Sequence, residues 1–289
     1  MNYDNFLQEF SDVAVKKDFP VSTRVSFKVG GNCDIAVFPK TIESLRRIIE
    51  YSKGRYPYCV IGNGSNVLVS DKGFRGVCIF TENLNKITLK GNILEAECGA
   101  KIKDCLSLAV QNNLSGLEFT SGIPASVGGI VAMNGGCFNK SVSDVVCFVR
   151  AEDGVYNNKL CNFNYRQSRF LEGEIILSVG FRLKVSESDV IEQKLERFIK
   201  ARRKSQPIGR SVGSVFLNQG YFAGKVIDKA GLKGTRIGGA YVSEKHANFI
   251  ISDGGCADDI YKLIKTIKDT VLKTQGIALT EEVRYIGEF

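Results

Sequence analysis

The stretch from Gly116 to Gly136, GLEFTSGIPASVGGIVAMNGG, constrains this chain more than any other, because six glycines stand among apolar residues in twenty-one positions. A flexible linker would be rich in Gly and Ser and would lack side chains such as Phe119, Ile123 and Val131, which need a core. Glycines set among buried apolar residues let the main chain approach a ligand and present N–H groups to oxyanions. We therefore interpret the stretch as a binding loop, with tight turns in a packed core as the alternative.

Another glycine loop, Gly62-Asn63-Gly64-Ser65-Asn66, lies upstream between the apolar runs 58–61 and 67–69, so it is the first glycine loop in chain order and Gly116–Gly136 is the second glycine stretch. Its spacing resembles the start of a dinucleotide fingerprint, but Val67 stands where the third glycine is required. A strand-like VLV also follows in place of a helix, which disfavours a Rossmann fold. The two loops together indicate one large ligand that carries phosphate.

Length and composition indicate an ordinary globular protein of two or three domains, because 289 residues with 44% hydrophobic content can bury a substantial core. The N-terminal MNYDNFLQEF carries acidic residues where a signal peptide needs basic ones, and no apolar run reaches membrane-spanning length. We therefore expect a cytoplasmic protein with no membrane partner.

Nine cysteines occur without any C-x-x-C pair, and several of them, such as Cys78 and Cys98, lie in apolar strand-like runs. This pattern is typical of reduced core residues. The chain has a single histidine, so zinc sites built on Cys and His pairs have no support, and we predict no metal.

The net charge of +8 is spread along the chain, and its densest cluster, Lys200 to Lys204, ends a predicted helix, where cations complement the helix dipole. Attraction of small anions such as nucleotides explains this charge better than nucleic-acid binding, with a solvated surface as the alternative. We predict no nucleic-acid partner. The sequence does not fix the oligomeric state, and we expect a monomer.

The order of predicted elements indicates an α+β fold with three segments, 1–72, 73–184 and 188–278, and a C-terminal strand in 279–289. The predicted helices are Ile42–Ser52, capped by Thr41, then Ile102–Gln111, Phe222–Ala230 and Ala257–Gln275, closed by Gly276. A further helix that stops before Pro207 is predicted from the apolar stripe Val190, Ile191, Leu195, Phe198 and Ile199. Two strands are predicted in the third segment, Ala240–Val242 and Asn248–Ile251.

Several motifs, in an order that spans nearly the whole chain, resemble those of the UDP-N-acetylenolpyruvoylglucosamine reductases, also called UDP-N-acetylmuramate dehydrogenases. They are SFKVGG (26–31), VIGNGSNVLVSD (60–71), GLEFTSGIPASVGG (116–129), MNGG (133–136), YRQS (165–168), GSVF (213–216), GLKG (231–234), VSEKHANF (242–249) and EVR (282–284). The resemblance implies an FAD-binding fold of two α/β subdomains, of the vanillyl-alcohol-oxidase type, plus a C-terminal α+β substrate domain. In the family the C-terminal strand returns to the second segment, so the resemblance implies the same for 279–289 here. The length is similar to that of the shorter family members.

The resemblance also implies a reaction in which NADPH reduces FAD and the reduced flavin passes a hydride to carbon 3 of the enolpyruvyl ether of a UDP-sugar, giving UDP-N-acetylmuramate. Ser214 matches the proton donor to carbon 2, Arg166 the residue that stabilises the carboxylate, and Glu282 the glutamate that helps to position the enolate. From the residues alone, the alternatives are a turn serine, a surface arginine and a solvated acid at a strand end.

For FAD, which we expect to be bound without a covalent link, the expected contacts are Gly62, Asn63, Gly64, Ser65, Asn66, Gly122, Ser126 and Gly129. For the UDP-sugar, the resemblance gives Asn218, and charge favours Lys225 and Lys245. Departures from the family pattern at Ala125, Leu217 and Gln219 concern the substrate site more than the flavin site. Two other hypotheses are an FAD-dependent oxidase or dehydrogenase of the same fold that acts on another substrate, and a basic nucleic-acid binder.

Overall fold

The computed structural model describes residues 3–289 and mixes helices with strands, which confirms the α+β class. Over these residues the α-helices are α1 (Asp4–Glu9), α2 (Ile42–Ser52), α3 (Ile102–Gln111), α4 (Val127–Ala132), α5 (Ser188–Ser205), α6 (Ala223–Lys229) and α7 (Ala257–Gln275). The strands are β1 (Ala14–Pro20), β2 (Asn32–Phe38), β3 (Tyr58–Ile61), β4 (Val67–Val69), β5 (Phe74–Phe80), β6 (Ile87–Lys90), β7 (Ile93–Glu97), β8 (Leu114–Ser115), β9 (Gly136–Cys137), β10 (Lys140–Ser141), β11 (Val146–Ala151), β12 (Val155–Asn157), β13 (Ile176–Arg182), β14 (Lys184–Val185), β15 (Arg236–Ile237), β16 (Ala240–Val242), β17 (Ile250–Ser252) and β18 (Arg284–Ile286). One four-stranded sheet has the order β1-β2-β5-β3.

The predicted helices agree with the structure where the sequence carries both periodicity and a cap. Helix α2 begins after Thr41, whose side chain accepts a hydrogen bond from the Ser44 N–H at 3.1 Å, and Ser44 Oγ accepts one from the Thr41 N–H at 3.3 Å. Helix α7 ends at Gly276, which adopts the left-handed conformation with φ of 68°. The strand predicted at Asn248–Ile251 lies instead at Ile250–Ser252.

The chain divides into two compact units, and the first consists of residues 3–15, 37–63 and 79–204. Its main sheet is antiparallel, with the strand order β12-β11-β13-β7-β6. Helix α4 packs against β13 and β7, and α3 packs against β7. This packing holds the segment from Gly116 to Gly136 against one sheet.

The second unit consists of residues 16–36, 64–78 and 205–289. It contains the antiparallel sheet β15-β16-β17 and the helices α6 and α7, and its core includes buried side chains such as Phe27, Val215 and Leu263. Strand β18 runs parallel to β4, which belongs to the first predicted segment rather than the second. The boundaries of the three segments, 1–72, 73–184 and 188–278, remain a prediction.

All nine cysteines are free in the structure, and Cys78 and Cys98 are buried as the sequence indicated, while Cys59 and Cys147 are half-buried. No helix among residues 3–289 combines the length and the hydropathy that crossing a membrane requires. Over the same residues, no three His, Cys, Asp or Glu side chains are grouped so that they could hold a metal ion.

Candidate active site

The second glycine stretch folds as a loop that runs into a short helix, which the sequence did not predict. Ser126 caps α4, because its Oγ accepts a hydrogen bond from the Gly129 N–H at 3.3 Å. The Val127 N–H donates to the Ala100 carbonyl at 2.8 Å and the Gly128 N–H to the Cys98 carbonyl at 2.7 Å. The start of α4 is therefore fixed on the chain that links β7 to α3.

Within the first unit, the end of β3 meets this loop directly. The Asn63 side chain donates to the Pro124 carbonyl at 2.6 Å. A Cβ atom at Gly62 would collide with Ser126 Oγ, and one at Gly129 would lie 3.1 Å from the same oxygen. A side chain at Gly62 would therefore require Ser126 to move. The structure brings Gly62, Ser126 and Gly129 together, and their contact with FAD stays a prediction.

A cavity of about 150 Å³ opens at this junction. It is lined by Val60, Gly62, Thr81, Cys98, Ser126, Gly128, Gly129, Ala132, Phe170, Glu174, Ile175 and Ile176. The lining combines bare main chain with apolar side chains, which suits a flat apolar ring system bonded to a polar tail. The residues present therefore fit part of a flavin nucleotide.

The charges around this cavity are compensated. Burial raises the pKa of the Cys98 thiol to about 12, so the thiol is neutral at pH 7. Glu174 is the acidic residue of the lining, and both its carboxylate oxygens accept from Arg169, at 2.6 Å and 2.7 Å. The cavity therefore presents no uncompensated carboxylate to an anionic ligand.

The first glycine loop offers unpaired donors. The main-chain N–H groups of residues 63–66 donate to no acceptor among the described residues. Consecutive free N–H groups form a concave site for anions such as phosphate. Within the second unit, Gly64 is held by a hydrogen bond from the Ser26 N–H to its carbonyl, at 3.0 Å. Gly64 has a φ of 60°, which favours glycine at this position.

Arg166 lies in the first unit, on a loop that is tied to the segment after α4. The Asn134 side chain donates to the Asn164 carbonyl at 2.9 Å, and Ser168 Oγ donates to the Ala132 carbonyl at 2.7 Å. The Arg166 guanidinium donates to the Gly136 carbonyl at 2.9 Å. Arg166 has a φ of 54°, a left-handed conformation that is uncommon for a residue other than glycine. The structure thus fixes this cation beside the MNGG segment.

Arg202 contacts the second glycine stretch, and sequence reasoning missed this contact because the cluster Lys200 to Lys204 was interpreted as a complement to the helix dipole. From α5 its Nε donates to the Ser121 carbonyl at 2.9 Å and its guanidinium to Cys137 Sγ at 3.2 Å. Its Cδ would lie 2.9 Å from a Cβ atom at Gly122, which has a φ of 76°. Burial raises the pKa of the Cys137 thiol, and Arg202 and Arg166 oppose that shift. No signal in the sequence linked Arg202 to the glycine stretch.

Ser214 and Glu282 are brought together in the second unit. The Glu282 N–H donates to the carbonyl of Val215, the residue after Ser214, at 2.7 Å. The Asn66 side chain donates to the Glu282 carbonyl at 3.0 Å, and the Arg284 N–H donates to the Asn66 carbonyl at 3.0 Å. The first glycine loop therefore lies beside the segment that carries Glu282, and that segment lies beside Ser214.

The residues predicted for the UDP-sugar are also in the second unit, around the start of α6. Asn218 Oδ1 accepts from the Ala223 N–H at 2.9 Å, so Asn218 caps this helix. Lys225 is exposed and lies over the Phe222 ring, 5.1 Å from its centroid. Lys245 is exposed on the turn before His246, whose ring lies against Gly224 of α6. Both lysine side chains can therefore reach solvent on this part of the unit.

Comparisons with known proteins give a consistent result over the whole chain. Residues 33–154 match the model of an FAD binding domain, and residues 204–286 match that of the UDP-N-acetylenolpyruvoylglucosamine reductase C-terminal domain. The UDP-N-acetylenolpyruvoylglucosamine reductase of Caldicellulosiruptor bescii is 42% identical over 100% of this chain and 96% of its own length. That of Clostridium botulinum is 40% identical over 99% of this chain and 98% of its own length.

Among solved structures, the crystal structure of UDP-N-acetylenolpyruvylglucosamine reductase from Thermus caldophilus has a TM-score of 0.82 at 32% identity, covering 95% of this chain and 99% of that one. A shared fold at this identity, over nearly the full length of both chains, exceeds what a common FAD-binding domain alone would give. The chain belongs to the UDP-N-acetylenolpyruvoylglucosamine reductase family of FAD-binding oxidoreductases.

Proposed function

We propose that the chain catalyses the NADPH-dependent, FAD-mediated reduction of enolpyruvyl-UDP-N-acetylglucosamine to UDP-N-acetylmuramate, a step of peptidoglycan synthesis in the cytoplasm. The names of the relatives support the reaction. The observation that supports the proposal is the hydrogen bond from the Glu282 N–H to the Val215 carbonyl, at 2.7 Å, because it brings the main chain of Glu282 next to the residue that follows Ser214.

The residues proposed to hold FAD are Gly62, Asn63, Gly64, Ser65, Asn66, Gly122, Ser126 and Gly129. The unpaired N–H groups of residues 63–66 would bind its pyrophosphate. When bound, the flavin supplies the hydride that carbon 3 of the substrate receives. We propose a non-covalent complex, because the pKa of the Cys137 thiol is raised by burial and a neutral thiol is a poor nucleophile.

The proposed roles of the three catalytic residues follow from the charge that develops on the substrate. As carbon 3 gains a hydride, negative charge spreads to carbon 2 and its carboxylate. Arg166, permanently charged and fixed by its bond to the Gly136 carbonyl, would stabilise that charge. Ser214 Oγ would donate the proton to carbon 2, and Glu282 would hold the enolate in position. An ordinary serine hydroxyl is a weak acid, so it needs this strongly basic acceptor.

The UDP part of the substrate carries two phosphates, and Lys225 and Lys245 supply exposed positive charge in the same unit as Ser214. We propose that these lysines attract the pyrophosphate and that Asn218 binds the substrate beside them. Because exposed charges act through water and salt, their loss would raise the substrate KM more than it would lower kcat.

The decisive experiment separates the two half-reactions in Ser214→Ala. A proton donor to the substrate has no task while NADPH reduces the flavin, so flavin bleaching should keep its wild-type rate. Reoxidation by the enolpyruvyl substrate should slow by about 10²–10⁴-fold, the usual cost of losing a general acid. Stopped-flow absorbance at the flavin band measures both phases, and Ser214→Cys should keep part of the reoxidation rate because a thiol can still donate.

An alanine variant that slows flavin reduction and leaves reoxidation intact would contradict the role of Ser214. Wild-type protein that is bleached by NADPH but not reoxidised by the enolpyruvyl substrate would contradict the reaction itself. That second outcome would instead favour an oxidase or dehydrogenase of the same fold that acts on another substrate.

A further inference from the structure

Asn248 is a buried polar residue with no role in the reaction described so far. It is 3% exposed, and both polar atoms of its side chain bond to the main chain of one residue, Phe216. Its Oδ1 accepts from the Phe216 N–H at 2.9 Å, and its Nδ2 donates to the Phe216 carbonyl at 2.8 Å. The carboxamide thus makes the two hydrogen bonds to the Phe216 main chain that a neighbouring strand would otherwise make.

The main chain of Asn248 extends the same contact toward Ser214. The Val215 N–H donates to the Asn248 carbonyl at 2.9 Å, and Ser214 forms a bridge with Phe249. Three successive residues, Ser214 to Phe216, are therefore fixed from this side by Asn248 and the residue after it.

The other side of the same segment is fixed by the chain that carries Glu282. The Val215 carbonyl accepts from the Glu282 N–H at 2.7 Å, and the Leu217 N–H donates to the Thr280 carbonyl at 2.9 Å. The Ser214 segment therefore lies between Asn248 on one side and the Glu282 segment on the other, and the Asn248 carboxamide fixes the side that faces away from Glu282.

Asparagine suits this position for a chemical reason. One planar amide offers a donor and an acceptor at the spacing of a peptide group, whereas ionised aspartate offers acceptors only and leucine offers neither. Phe216 is 1% exposed, so loss of the amide would leave a buried N–H and a buried carbonyl unsatisfied. The segment would shift to recover those bonds, and Ser214 would shift with it.

We propose that Asn248 is a positioning residue for the reaction, acting through Ser214 by holding the serine hydroxyl in line with the carbon that it protonates. This inference rests on the proposed function, in which Ser214 donates the proton. Asn248 itself touches neither the substrate nor the flavin in this role.

The test measures the two half-reactions in Asn248→Ala and Asn248→Asp. Reoxidation of the flavin by the enolpyruvyl substrate should slow by about 10²-fold in Asn248→Ala, the cost expected from a displacement of about 1 Å. Flavin reduction by NADPH should keep its rate. In Asn248→Asp, reoxidation should become faster as the pH falls, because the protonated carboxyl regains the donor toward the Phe216 carbonyl.

Asn158→Asp is the matched control for ordinary loss of amide hydrogen bonds. Its Nδ2 donates to the Ser143 and Val146 carbonyls, at 2.9 Å and 2.8 Å, within the first unit, whereas Ser214 belongs to the second. This variant should leave both half-reactions unchanged and should show no pH effect like that of Asn248→Asp.

A double variant separates the inference from the function on which it rests. If Asn248 acts through Ser214, then Ser214→Ala/Asn248→Ala should reoxidise no more slowly than Ser214→Ala alone. An additional loss in the double variant, equal slowing of both half-reactions in Asn248→Ala, or failure of both Asn248 variants to fold would overturn the inference. A normal reoxidation rate in Ser214→Ala would instead overturn the role of Ser214, and the inference with it.

Discussion

At the scale of single residues, the second glycine stretch depends on a buried acid, Glu118. This carboxylate is 4% exposed and accepts from Ser115 Oγ and from the Gly116 N–H, at 2.5 Å and 2.7 Å. Lys194 of α5 lies 3.8 Å away and supplies the opposite charge. The Glu118 carboxylate therefore fixes the main chain where the second glycine stretch begins, at Ser115 and Gly116.

We expect Glu118→Ala to lower the free energy of unfolding by about 1–3 kcal/mol, because removal of the carboxylate leaves the buried Ser115 hydroxyl and the part-buried Gly116 N–H without their acceptor. The exposed pair Arg236–Asp253, with oxygen and nitrogen 3.3 Å apart, is the comparison. Asp253→Ala should cost only about 0–1 kcal/mol, since water screens exposed ion pairs. Urea denaturation at pH 7 measures both changes, and equal losses would refute the buried role of Glu118.

Residues were predictable from the sequence to different degrees. Ser214, Arg166 and Glu282 were identified through the family resemblance, and their proposed roles still await the half-reaction experiments. The sequence analysis included Asn248 only as a member of the VSEKHANF motif and Arg202 only as a member of the basic cluster Lys200 to Lys204, and it assigned neither residue a role. Their contacts join segments that are distant in sequence, Arg202 to Ser121 and Asn248 to Phe216, and no local pattern encodes such contacts.

At the scale of elements, helices α2 and α7 were predicted because they combine a 3.6-residue apolar period with a cap, Thr41, or a terminal glycine, Gly276. Helix α4 was not predicted, since Gly128 and Gly129 lower its helix propensity and its six residues are too few to show a period. Packing against β13 and β7 and the cap from Ser126 stabilise it instead. Tertiary contacts, and not local propensity, therefore explain why this helix forms.

This short helix should not tolerate a side chain at Gly129. Gly129→Asp would put a Cβ atom 3.1 Å from Ser126 Oγ and a negative charge into a loop proposed to face a pyrophosphate, so we expect the purified variant to lack FAD. Gly154→Asp is the control in the same unit, because a Cβ atom there meets only the Tyr156 ring, at 3.9 Å. The ratio of flavin to protein absorbance measures occupancy. Full occupancy in Gly129→Asp would show that this loop does not contact the cofactor.

At the scale of the whole molecule, the composition allows the effect of one titrating side chain on stability to be measured. The chain has a single histidine, His246, so few other side chains change charge between pH 7.5 and 5.5. Its half-buried ring accepts a hydrogen bond at Nδ1 from the Asn248 N–H, at 3.2 Å. Burial lowers the pKa of His246 below its ordinary value of 6.5. The neutral ring is therefore the form that the folded protein prefers.

The sign of the pH dependence follows from this shift. As the pH falls through about 6.5, the unfolded chain binds a proton before the folded one does, so the free energy of unfolding should decrease until the pH passes the lower pKa of the folded state. His246→Gln should remove this slope, because an amide does not titrate in this range and its oxygen can still accept from the Asn248 N–H. Urea denaturation at pH 7.5, 6.5 and 5.5 measures the effect in both proteins. An equal slope in the glutamine variant would assign it to another group, and a wild-type stability that rises as the pH falls would contradict the buried, neutral imidazole.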